Sequence, residues 1–102
     1  MDDSDLAQGT VEAPARAGTI DILYFARLKE VLGLGAERMM LPQAIATAGA
    51  LRAHLQARGG AWAVELAAER PVRVAVNQVM AGADAHIHPG DEVAFFPPVT
   101  GG

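Results

Sequence analysis

The chain reads as an α+β roll, a mixed sheet with one main helix packed across one face, and two strand patterns on either side of a helical one carry that reading. Ile20, Ile22 and Tyr24 alternate with Asp21, Leu23 and Phe25, and Val72, Val74 and Val76 alternate with Arg73, Ala75 and Asn77. Period two is the signature of a half-buried strand. Between them, Leu51 and Leu55 stand one helical turn apart behind Thr47, a residue suited to cap a helix N-terminus.

In order, Thr19 to Ala26 is the first strand, and Asp21 marks its less buried side. Arg27 to Leu32 is a short helical turn ended by Gly33, and Glu37 to Leu41 is a second strand, antiparallel to the first and stopped by Pro42. The main helix runs from Thr47 through Arg58, with Gly59 at its C-terminal cap and Gly49 weakening it a little. Trp62 to Arg70 is a second helical piece closed by Pro71, in which Trp62 and Leu66 share a face, and both helices cover one side of the sheet. The valine strand turns at Asn77-Gln78 onto a short strand at Val79 and Met80, and a loop through Gly82 and Asp84 leads by way of Ala85 to His88 into Pro89-Gly90. That pair suits the centre of a type II turn, because proline presets the first φ and glycine tolerates the positive second one. On the last strand Val93 and Phe95 share one side, and Glu92, Ala94 and Phe96 the other. The order of elements is that of the β-grasp (ubiquitin-like) fold, in which the first and last strands lie side by side and parallel in mid-sheet. By itself the pattern also permits another α+β roll.

Composition narrows the function. A length of 102 residues, half of them apolar, makes one small domain with a modest core. The absence of cysteine excludes disulfides, thiolate metal sites and a cysteinyl nucleophile, so any sulfur chemistry must use another group. A formal charge of −4 argues against a nucleic-acid surface, and no apolar run approaches a membrane span. The start of the chain lacks the basic and apolar regions of a signal peptide, so a cytoplasmic location is expected. Residues 1–18 set Asp2, Asp3, Asp5 and Glu12 against Arg16 alone, which accounts for −3 of that charge. With so few large apolar groups they read as a disordered acidic leader to a domain over residues 19–96.

Candidate chemistry within the domain is weak. His86 and His88 are two apart and could chelate from a strand, but no third ligand accompanies them and His54 sits apart on the helix, so no metal site is assigned. Glu65 and Glu69, at i and i+4, read as a solvated helix face rather than an acid–base pair. The lone serine, Ser4, lies in the leader, and no phosphate-loop pattern is present.

The terminus is more informative. Pro97 and Pro98 cannot donate ladder hydrogen bonds, so they end the last strand and favour an extended exit for residues 97–102. Gly101 and Gly102 have no Cβ, which lets an enzyme backbone and a nucleotide approach the last carbonyl closely. The whole segment, Asp91-Glu92-Val93-Ala94-Phe95-Phe96-Pro97-Pro98-Val99 followed by Gly101-Gly102, closely resembles the C-terminus of the small, sulfur-carrier subunits of molybdopterin synthase. Ile22-Leu23-Tyr24-Phe25-Ala26-Arg27-Leu28-Lys29-Glu30 matches the first strand and turn of the same family.

That resemblance implies a chain that is not catalytic alone. A ubiquitin-activating-like adenylyltransferase would use ATP to adenylate the Gly102 carboxylate, and a persulfide donor would convert it to a thiocarboxylate, a C-terminal 1-thioglycine, with no cofactor bound permanently. Gly101 would keep the approach sterically open. The tail, Pro97, Pro98, Val99 and Thr100 included, would enter the large synthase subunit and give its sulfur to cyclic pyranopterin monophosphate in a heterotetramer. Strand parity adds Phe25 and Phe96, which fall near one end of one open face, as anchors for that subunit. Carriers for thiamin or tRNA thiolation share the fold and the Gly-Gly, and a noncovalent ubiquitin-like binding module is the alternative of another class. Phe96-Pro97-Pro98-Val99 favours molybdopterin.

Overall fold

The computed structural model describes residues 18–98. The expected leader therefore lies outside the described residues except for Gly18, as do Val99, Thr100, Gly101 and Gly102. Gly18, at φ 86°, accepts a hydrogen bond from the amide of Leu41 and so joins the fold.

Strand β1 (Thr19–Tyr24) points Ile20, Ile22 and Tyr24 into the core, as the alternation requires. It ends before Ala26, where φ of 54° turns the chain into helix α1 (Arg27–Leu32), closed by Gly33 in the left-handed conformation. Strand β2 (Ala36–Met40) runs antiparallel to β1, Leu23 opposite Ala36 and Thr19 opposite Met40.

Helix α2 (Ala48–Gln56) begins at Thr47, whose hydroxyl accepts from the amide of Ala50 at 3.1 Å. It stops short of the expected Arg58. Its C-cap is Ala57 in ordinary helical geometry, and Gly59, at φ 81°, instead opens helix α3 (Gly60–Glu65). The second helix is likewise shorter than the expected Trp62 to Arg70. The Arg52 guanidinium donates to the carbonyls of Leu66, Ala67 and Arg70, which lets that stretch leave helical hydrogen bonding without orphaned acceptors.

Strands β3 (Arg73–Val76) and β4 (Val79–Ala81) form a hairpin, and Asn77 and Gln78 both take positive φ, as a tight two-residue turn demands. Asn77 also ties that turn to strand β5 (Glu92–Phe96), donating to Asp91 and accepting from the amide of Glu92, each at 3.0 Å.

The five strands run in the order β2-β1-β5-β3-β4. β1 and β5 are parallel neighbours and the other pairs antiparallel, the arrangement of a β-grasp. α2 and α3 cover one face, where Leu51, Leu55 and Leu66 close over Ile20, Ile22, Val93 and Phe95, all at most 1% exposed. Each such side chain contributes about 1.5–3 kcal/mol relative to remaining in water. Ile87 completes this core because the segment expected as a plain lead-in to the turn docks on the helix approach: its amide donates to the Ala46 carbonyl, and His86 bridges to Thr47. Among the described residues no helix is long and apolar enough to cross a membrane.

Candidate functional site

The candidate site is the place where β5 leaves the sheet. β5 lies between β1 and β3, and Val93, Ala94 and Phe95 are buried, so the strand that precedes the tail is among the most firmly held in the molecule. Beneath it Tyr24 stacks on Phe95, ring centroids 6.3 Å apart, and meets Trp62 edge-on at 5.4 Å. The Tyr24 hydroxyl donates to Glu37 at 2.7 Å, and Arg58 grips the same carboxylate at 2.9 and 3.0 Å while lying over the Trp62 ring. Burial, and then the Glu37 carboxylate, push the Tyr24 phenol well above its ordinary pKa, so it remains a proton donor. Burial pushes Glu37 up, but the hydrogen bonds from Arg58 and Tyr24 outweigh it and hold the carboxyl below its ordinary value.

On the open face, rows of side chains follow from the register. Asp21 stands opposite Arg38 and Glu92, and Leu23 lies between Ala36 and Ala94, with Ala75 next to Ala94 and Met80 beyond. Arg73 is the partner of Phe96, and the Phe25 amide donates to the Phe95 carbonyl, which puts Phe25 at the same end of the sheet. Phe25 is 48% exposed and Phe96 half-buried. The structure thus brings these two expected residues together beside the exit.

On the helix side Pro97 lines a cleft of about 90 Å³ with Arg27, Leu28, Glu65, Arg70, Pro71 and Val72. Pro98 is half-buried. Glu65 corrects the sequence reading. It does not lie on a solvated face but is 6% exposed, held by Arg27 at 3.3 Å through both oxygens, with Arg70 at 4.0 Å. A buried carboxylate must be paired, and the pairing comes from a helix 38 residues away in sequence, so no spacing rule could find it. The Glu37–Arg58 pair, 21 residues apart, is hidden from the sequence for the same reason. His54, His86 and His88 are exposed, and among the described residues no cluster of His, Cys, Asp and Glu could hold a metal.

Fold and terminus together define a class: a ubiquitin-like β-grasp domain whose central strand ends in a diproline before a Gly-Gly. The chain belongs to the ThiS family, whose profile matches residues 22–102. It is 41% identical over 83 residues to the molybdopterin synthase sulfur carrier subunits of Haemophilus influenzae and of Escherichia coli, a match covering 81% of this chain and 99% of each relative. Among solved structures, SAMP1 from Haloferax volcanii superimposes with a TM-score of 0.62 at 30% identity, over 83% of this chain and 100% of that one. The resemblance carried by the tail and first strand therefore extends across the whole domain.

Proposed function

We propose that this chain is the sulfur-carrying small subunit of a molybdopterin synthase, with the terminal carboxylate of Gly102 as its working group. The observation that carries the reading is the 41% identity to two sulfur carrier subunits over nearly their full length, within a family match that runs through Gly102. An activating enzyme adenylates the carboxylate with ATP, which turns oxygen into a good leaving group. The outer sulfur of a persulfide donor attacks the acyl carbon and displaces AMP, and a thiol reductant cleaves the resulting acyl disulfide to the thiocarboxylate. This passes its sulfur to the pyranopterin precursor inside the large subunit, water restoring the carboxylate. The domain itself contributes presentation. A buried central strand, stiffened at its end by Pro97 and Pro98, gives the tail a firm base, and acid–base work is left to the partner.

The test is the intact mass after incubation with ATP, the activating enzyme and a sulfur donor. The wild-type chain is expected to exchange one oxygen for sulfur. A chain lacking Gly102 is expected to melt at the same temperature and gain nothing. Sulfur incorporation that survives the deletion would refute Gly102 as the carrier.

A further inference from the structure

Three arginines stand near the point where β5 ends. Arg73 stands beside Phe96 on the open face, and Arg27 and Arg70 line the cleft of Pro97 on the helix side. One buried carboxylate, Glu65, serves Arg27 and, more distantly, Arg70. Arg73 has no carboxylate within ion-pairing distance among the described residues. The exit is therefore cationic in a chain whose formal net charge is −4. At the other end of β5 the signs reverse: Glu92 pairs in register with Asp21, Asp91 precedes it, and Arg38 answers Asp21 at 2.7 Å. The two ends of β5 are four residue steps apart, about 13 Å, which exceeds the screening length of about 8 Å at physiological salt. The two patches act separately on an approaching surface.

Arg27 pairs the buried Glu65, but exposed arginines such as Arg70 and Arg73 add little to the stability of the free domain. Placed around the tail, next to the apolar Phe25 and Phe96, they have the layout of an interface rim with an aromatic centre. We propose that Arg27, Arg70 and Arg73 form a cationic collar that docks on carboxylates ringing the mouth of the slot that takes the tail in the large synthase subunit. The identity of the partner rests on the sulfur-carrier reading, and the sign of its surface on the charge placement here. Attraction between collar and mouth steers the tail towards the slot before it threads.

The experiment measures association with the purified large subunit by stopped flow at low and at high salt. Arg70→Glu combined with Arg73→Glu leaves the Arg27–Glu65 pair intact. It is expected to slow association by about tenfold at low salt, with the difference vanishing at high salt. Arg73→Gln alone is expected to give a smaller slowing, and guards against a folding defect in the double variant. Arg38→Glu changes the charge at the far end of the same face and is expected to alter the rate by less than about twofold. A double variant that associates as fast as wild type at low salt, or an Arg38→Glu that slows it equally, would overturn the collar. A wild-type chain that does not bind the large subunit at all would overturn the sulfur-carrier reading itself, and the collar with it.

Discussion

Glu37 shows how a single side chain couples stability to pH. Its folded carboxyl sits below the ordinary value of 4.5, so the unfolded chain takes up the proton more readily than the folded one. Its contribution is complete above that ordinary value and is lost as the pH falls through the lower folded value. Thermal melts taken from about pH 7 to about pH 3 are expected to show Glu37→Gln with a shallower acid loss than wild type. Glu37→Ala is expected to cost about 1–3 kcal/mol at neutral pH, because it strands the buried Tyr24 hydroxyl. At the terminus the residue-scale argument is steric. Gly101→Val is expected to leave the melt unchanged and to abolish thiocarboxylate formation or transfer, since a β-branched side chain collides with a slot shaped for glycine. Intact-mass and turnover assays check it.

At the scale of the element, α2 carries two glycine and threonine decisions that differ in legibility. Thr47 was readable as a cap from its type and position, and Thr47→Ala is expected to cost about 1 kcal/mol in a denaturant titration. Gly49 reads in the sequence as a weakness in the helix. Yet a Cβ there would meet the Ala83 carbonyl at 3.0 Å and its side chain at 3.1 Å, and the Gly49 amide donates to that carbonyl. Helix propensity alone makes Gly49→Ala stabilising by about 1 kcal/mol. The close approach of the loop is expected to cancel that gain or reverse it, and the same titration decides between them. The helix ends differ for a related reason: Arg52 supplies donors that let the chain after α3 uncoil before Pro71 compels it.

At the scale of the molecule, the domain joins a firmly held centre to the end where β5 leaves the sheet. Phe25 and Phe96 stand outside the free domain's core cluster, which is built from β1, β5, α1, α2, Ile45, Leu66 and Ile87. Phe25→Ala or Phe96→Ala is therefore expected to weaken binding to the large subunit by about 1–3 kcal/mol while moving the melting temperature little. Calorimetric titration beside a melting curve tests this. Lost stability with unchanged affinity would place the rings in the core.

The sequence alone determined the α+β class, the faces of β1 and β5, the Thr47 cap, the turn at Asn77-Gln78 and the tail motif. These depend on local period, turn chemistry or an uninterrupted run of residues, all of which lie along the chain. Only the tertiary structure decided that Glu65 is buried against Arg27, that Glu37 joins Tyr24 to Arg58, that Ile87 plugs the core and that Gly49 makes room for Ala83. It also decided that Arg73 and the Arg27–Arg70 pair flank the tail exit from opposite faces. Each is a meeting of groups far apart in sequence, and a buried charge or a close backbone approach is set by which surfaces fold onto each other, which no local pattern encodes.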